Sequence, residues 1–238
     1  MNVEVWWARV GDVRAELVQE LDSVERGRLG AYAREEDRAR FLLGCAVVRR
    51  VLGLHLMRPP GEVRLERTCP DCGRPHGKVR AIDAEGMQLS VSHSGELVAV
   101  AFQPSGIAVG VDVEQVDAQL DADSVAAVSL AEVETTELAR YEPADRARAF
   151  TTYWTRKEAL VKATGDGIRA DLSKVIVSPP DQPAALLEWS GYDGPAQLVD
   201  LEVGRDHVAA LAILSSEAGR VHSIDATALL SAGSTARP

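Results

Sequence analysis

Residues 107–114 read Ile-Ala-Val-Gly-Val-Asp-Val-Glu. In an extended strand successive side chains take opposite faces, so Ile107, Val109, Val111 and Val113 share one side while Ala108, Gly110, Asp112 and Glu114 share the other. Carboxylates two residues apart on one strand lie about 6.5–7 Å from each other. One hydrated cation, or a cation with its ligand, bridges that span. Small Ala108 and Gly110 leave room beside them for another backbone or a ligand. A strand with one wet face carries the same pattern, so this stretch needs a second carboxylate-bearing element before it reads as a site.

That element is Tyr153–Lys162, Tyr-Trp-Thr-Arg-Lys-Glu-Ala-Leu-Val-Lys. It lies in a predicted helix that opens on Pro143, runs to about Ala163 and is ended by Gly165 and Gly167. Trp154, Glu158 and Lys162 recur every four residues and line one stripe. An exposed Glu-Lys pair is common on helices and stabilises them by only a few tenths of a kcal/mol. Trp154, one turn before Glu158, turns the stripe inward, where a carboxylate and an ammonium need partners. Three carboxylates, Asp112, Glu114 and Glu158, then form a hard oxygen donor set suited to Mg²⁺, which keeps some waters and takes its remaining oxygens from substrate phosphate. Lys162 beside them suits a phosphoryl group in transit.

Outward from these two stretches, strands are expected at Val3–Val10, within Leu89–Phe102 as two strands around a Ser-Gly turn, and at Val175–Val177, Leu186–Trp189, Ala196–Val203 and His207–Leu214. A helix is expected over Arg34–Leu54, with Phe41, Leu42, Cys45, Val48 and Leu52 at helical spacing. Ser129 with Glu132 resembles a capping box opening a short helix. Arg38-Ala-Arg-Phe and the later strand 97–101 are echoed by Arg146-Ala-Arg-Ala-Phe and the later strand 207–212. The echo suggests two related halves joined near Gln103 to Gly106, against a background in which arginine-alanine helices resemble one another by chance. The tail after Ala226 is small and polar and is expected to fray.

The chain has 238 residues, 46% of them hydrophobic, enough for one large domain or two fused small ones with a buried core. No apolar run approaches the roughly 20 residues of a membrane span, and Met1–Glu16 lacks the pattern of a signal peptide. Three cysteines, Cys45, Cys69 and Cys72, argue against a disulfide framework. A cytoplasmic protein is expected. The formal charge of −10 disfavours a general nucleic-acid binder. An anionic ligand must therefore meet a local basic patch: Arg26 with Arg28, Arg34–Arg40, Arg49 with Arg50, Arg74–Arg80, or Arg156 with Lys157 and Lys162.

Ser92-His93-Ser94 sits where two strands turn. Neighbours on a strand point oppositely, so Ser92 and His93 do not make a nucleophile-base dyad, and His93 reads as a donor to an anion or a structural histidine. Cys69-Pro-Asp-Cys72-Gly with His76 looks like half a zinc knuckle, without the second ligand pair such sites need. Gly77-Lys78 offers an exposed amide and a cation suited to phosphate, or is simply a turn.

Ser90–Ser94 (SVSHS), Gly110–Glu114 (GVDVE) and Trp154–Lys162 (WTRKEALVK) together resemble the three ordered signatures of the Sfp-type 4'-phosphopantetheinyl transferases. The upstream ARFLLG and the Gly77-Lys78 pair also match, and the resemblance spans about Arg26 to Gly167. It implies an α+β fold made of a pseudo-two-fold fused pair of similar halves: residues 1–104, then 105–226 carrying the carboxylates, then a flexible tail over 227–238. It further implies a monomer, neither nucleic-acid-bound nor membrane-bound, that uses Mg²⁺ and coenzyme A, the latter bound between the halves. The reaction would pass the phosphopantetheine arm to a serine of an acyl, peptidyl or aryl carrier protein and release adenosine 3',5'-bisphosphate. By motif position Asp112, Glu114 and Glu158 would hold Mg²⁺. Lys162 would meet the pyrophosphate, and Glu158, directly or through water, would take the serine proton. Arg28, His76, Gly77, Lys78, Ser92 and His93 fall where family members grip the nucleotide. Val79, Ser90 and Glu25 stand where the family often has Pro, Asn and a basic residue. A non-catalytic coenzyme A-binding module derived from such an enzyme is the alternative.

Overall fold

The computed structural model describes residues 1–231 apart from Pro70, Asp71, His76, Asp166, Ile168 and Arg169. His76, expected both in the knuckle and at the nucleotide, therefore lies outside the described residues. The chain divides into two units, the first comprising Asn2–Gly106 and the stretch from Arg220, the second essentially Ile107–Gly219.

The first unit opens with strand β1 (Asn2–Arg9). Helix α1 (Ser23–Ala31) begins at Asp22, whose carboxylate accepts the Glu25 N–H at 2.8 Å while Glu25 accepts the Asp22 N–H at 3.1 Å. This reciprocal bonding satisfies two amides that a helix start leaves without partners. Helix α2 (Glu35–Leu56) buries Phe41, Leu42, Cys45, Val48 and Leu52, the stripe its spacing predicts. The two-residue strands β2 (Leu65–Glu66) and β3 (Arg80–Ala81) pair with each other. Strands β4 (Gln88–Ser94) and β5 (Leu97–Gln103) form the expected hairpin, turning at Gly95 with φ 55°.

The second unit begins with β6 (Val109–Gln115), followed by α3 (Ala122–Ser129), α4 (Glu132–Leu138) and the long α5 (Pro143–Thr164). Strands β7 (Val175–Val177) and β8 (Leu186–Trp189) pair with each other. Strands β9 (Gln197–Leu201) and β10 (His207–Ile213) complete an antiparallel sheet in the order β6-β10-β9. Leu160, Val161, Ala210 and Ala212 share the core between α5 and this sheet. Each unit thus sets a 22-residue helix against antiparallel strands.

Two expectations fail for tertiary reasons. Arg220–Asp225 forms a strand, β11, that pairs parallel with β1, Asn2 opposite Arg220, and gives the first sheet the order β11-β1-β5-β4. The second half therefore ends near Gly219 rather than at residue 226. The stretch from 227 is not simply frayed: Thr227–Ser231 forms α6, and Leu230 is buried in the first unit's core. Second, Ser129 caps nothing. It ends α3, donating its hydroxyl to Val125 O at 2.7 Å, and α4 opens at Ala131, whose N–H donates to Glu134 at 2.9 Å. No helix among the described residues is long and apolar enough to cross a membrane.

Candidate active site

Gly110 decides how β6 meets α5. A Cβ built there would stand 2.0 Å from Ala159 O, 2.4 Å from Ala163 N and 2.9 Å from Lys162 C. Only glycine lets strand and helix backbones approach this closely. Strand alternation places Asp112 and Glu114 on the face of Gly110, and Asp112 lies opposite Ala210 of β10, a residue of the α5-facing core. The room foreseen beside the carboxylates is thus filled by another backbone.

On the helix, Trp154, Glu158 and Lys162 are all half-buried, as the four-residue stripe predicts. Lys162 Nζ donates to Asp112 Oδ1 at 2.6 Å; Asp112 is 2% exposed, whereas Lys162 keeps 28% of its side chain accessible. Burial, then the nearby Asp112 charge, pushes the Glu158 carboxyl above the usual range, and Lys162 partly offsets the rise. Asp112, Glu158 and Lys162 are therefore one electrostatic group spanning β6 and α5. Among the described residues no three His, Cys, Asp or Glu side chains converge as a metal-holding group. The structure brings Asp112 and Glu158 together; Glu114 shares the strand face of Asp112. Two crowded carboxylates still fit Mg²⁺, which takes one or two protein carboxylates and fills its octahedron with water and phosphate. A cation also relieves the repulsion from Asp112 that adds to the effect of burial on Glu158.

Arg28, Gly77, Lys78, Ser92 and His93 belong to the first unit. Arg28 lies 5.0 Å from the centre of the Phe41 ring and donates to Pro75 O at 2.9 Å. Gly77 is not an exposed donor: its N–H bonds Arg67 O at 2.7 Å, and a Cβ there would stand 2.8 Å from Thr68 O. Close packing against the backbone of Thr68 and Cys69 accounts for this glycine. Burial, and next Arg80, pushes the Lys78 ammonium down to about 8. Ser92 is buried and His93 exposed, the opposed faces that strand alternation requires.

Several expected cations are internal struts rather than anion ligands. Arg156 and Lys157 are both fully buried. Arg156 donates to both Asp200 oxygens at 2.9 and 2.6 Å and to the carbonyls of Ser178, Pro179 and Gln182. Lys157 donates to Glu134 and to Leu172 O, and Glu134 also accepts the N–H groups of Val177 and Ala131. These flanking anchors fix the rotation of α5 and hence where Glu158 points; sequence reading missed that role because the partners lie 15 to 44 residues away. In the first unit Arg49 is committed to Glu25 and Asp22, and Arg50 to Glu20. Glu25 is itself fully buried between Arg49 and Arg67. Its departure from a basic residue is a matter of core charge pairing.

A family model described as the 4'-phosphopantetheinyl transferase superfamily matches residues 108–212, which include Asp112, Glu114, Glu158 and Lys162. The chain is 32% identical over 199 residues to the 4'-phosphopantetheinyl transferase HetI of Nostoc sp., covering 83% of this chain and 80% of that relative. The chain belongs to the 4'-phosphopantetheinyl transferase family. The transferase is also 31% identical over 194 residues to a phosphopantetheinyl transferase of Thraustochytrium sp., covering 72% of this chain and 64% of the relative. A likeness to the crystal structure of Thermotoga maritima holo-[acyl-carrier-protein] synthase covers 47% of this chain and 65% of that one, at 20% identity and a TM-score of 0.38. A likeness to the Chronobacterium ammoniagenes ACPS-CoA complex has a TM-score of 0.37 at 18% identity, over 47% of this chain and 98% of that one.

Proposed function

We propose that this transferase moves the 4'-phosphopantetheine arm of coenzyme A to a serine of an acyl, peptidyl or aryl carrier protein, with Mg²⁺, releasing adenosine 3',5'-bisphosphate. Coenzyme A holds that arm through a pyrophosphate, the linkage whose cleavage delivers a phosphopantetheinyl group. The serine oxygen attacks the phosphorus bearing pantetheine; a new P–O bond forms, and the bond to the bridging pyrophosphate oxygen breaks. The nucleotide leaves with that oxygen, and the serine proton passes to a carboxylate.

The observation that carries this reading is the Asp112–Lys162–Glu158 group packed where α5 meets β6 at Gly110. Asp112 and Glu158 would hold Mg²⁺, with Glu114 adjoining on the same strand face, and the bound ion would spread the charge of the pyrophosphate. Lys162 keeps 28% of its side chain accessible and suits the departing phosphate. Glu158, directly or through a water, would accept the serine proton. In the first unit Arg28, Lys78 and the exposed His93 supply cationic or donor groups for the nucleotide.

The test is incubation with coenzyme A, Mg²⁺ and apo carrier protein, read by intact mass. Asp112→Ala and Glu158→Ala are each expected to abolish the mass gain of the carrier while circular dichroism stays that of the parent. Full turnover in either variant sinks the metal assignment. An unmodified carrier with the parent enzyme, across a panel of fatty-acid, polyketide and peptide carriers, sinks the activity itself.

A further inference from the structure

The ion pair between Lys162 and Asp112 has a consequence for how a cation enters. Asp112 is 2% exposed, and a carboxylate so buried needs a compensating positive charge. Lys162 supplies it at 2.6 Å. A divalent cation would draw on the same carboxylate, so ammonium and metal compete for its charge. Lys162, unlike Asp112, has somewhere to go: its side chain is 28% exposed and sits on a flexible four-carbon stem. Glu158, one turn back on the helix, already feels Asp112 as a repelling charge despite Lys162. A cation joining both carboxylates would remove that repulsion and release the ammonium from Asp112.

We propose that Lys162 is a built-in counter-ion for Asp112, which a divalent cation displaces on binding, so that the free enzyme is stabilised by Lys162 while its metal affinity is held down. The inference rests on the Mg²⁺ reading above and adds a sign to it: removing the lysine strengthens metal binding even as it weakens catalysis. Displacement also leaves the Lys162 ammonium beside the metal at the moment phosphate oxygens arrive there.

The test is Mn²⁺ binding to the enzyme without coenzyme A, followed by electron paramagnetic resonance of free Mn²⁺. Lys162→Met keeps the apolar stem, and Lys162→Gln is a second variant should the first fold poorly. In both, the Mn²⁺ Kd is expected to fall by about tenfold or more, which corresponds to about 1.4 kcal/mol, the low end of coupling between close charges. Lys162→Arg keeps the charge and is expected to bind no tighter than the parent. Lys174→Met removes an exposed lysine paired to Asp171 at 3.4 Å and is expected to leave Kd within about twofold, since exposed charges are screened. Thermal melts without metal should show the Lys162→Met protein less stable than the parent, and saturating Mn²⁺ should restore more of its stability. If Asp112→Asn abolishes Mn²⁺ binding but Lys162→Met and Lys162→Gln bind no tighter than the parent, the counter-ion role is overturned and the metal site stands. If Asp112→Asn binds Mn²⁺ as the parent does, the metal reading falls and takes this inference with it.

Discussion

Replacing Gly110 with alanine tests the contact on which the site is built. The added methyl would meet Ala159 O at 2.0 Å, and ordinary contact begins at 3.4 Å, so α5 must withdraw by about 1.4 Å or β6 must buckle by as much. The obstructing atoms are backbone, which no rotamer change can relieve. Overpacking of a well-filled core costs about 1–3 kcal/mol, and with backbone on the far side the expected loss lies at or above the upper end. The same displacement strains the 2.6 Å Lys162–Asp112 bond and shifts Glu158 relative to Asp112. Misplacement of a reacting group by about 1 Å lowers rates on the order of 100-fold. Urea denaturation and the intact-mass transfer assay give the two readouts. Gly27→Ala is the control: nothing lies within 4 Å of a Cβ there, and inside α1 alanine is expected to be neutral or stabilising by up to about 1 kcal/mol. A Gly110→Ala protein within about 1 kcal/mol and threefold of the parent would refute the close-approach argument, because these losses are its smallest consequence.

Lys157→Met should cost about 3–5 kcal/mol, since it strands the Glu134 carboxylate, 2% exposed, in the core. In a thermal melt this is a fall in Tm on the order of 10 °C, and adding Glu134→Leu should not restore it, because the Val177 and Ala131 amides then lose their acceptor. Lys78 makes a pH prediction. Its folded pKa, depressed to about 8, means that it carries charge below that pH and loses it above, so kcat/KM for coenzyme A should decline on the alkaline side of pH 8. Lys78→Arg keeps its charge throughout and should flatten that limb; an unchanged limb would remove Lys78 from nucleotide binding. For stability the sign is opposite: because the unfolded lysine titrates near 10.5, the cost of burying the charge is fully present below pH 8 and is relieved between 8 and 10.5.

How far the site could be read in advance depended on the range of the interaction behind each feature. The shared face of Asp112 and Glu114, the Trp154–Glu158–Lys162 stripe and the opposed faces of Ser92 and His93 follow from strand and helix periodicity, which nearest neighbours set. The roles of Arg49, Arg156 and Lys157 did not, because exposed and buried cations look alike in a string. Arg156 meets Asp200 across 44 residues, and Arg49 meets Glu25 across 24. Gly77 and Gly110 were visible as small residues near chemistry, but which backbone each admits is a matter of approach. Ser129 shows that even a local motif yields when the preceding helix claims the hydroxyl.

By itself the sequence determined the elements that carry the chemistry: a strand presenting two acids on one face, a helix presenting an acid and a lysine one turn apart, and three motifs in family order. Tertiary structure alone decided that Gly110 lets those elements touch, that Lys162 closes on Asp112, and that β11 crosses back to lie beside β1. The division is physical. Periodicity is written in adjacent residues, whereas burial and charge pairing arise only when distant segments exclude water from one another.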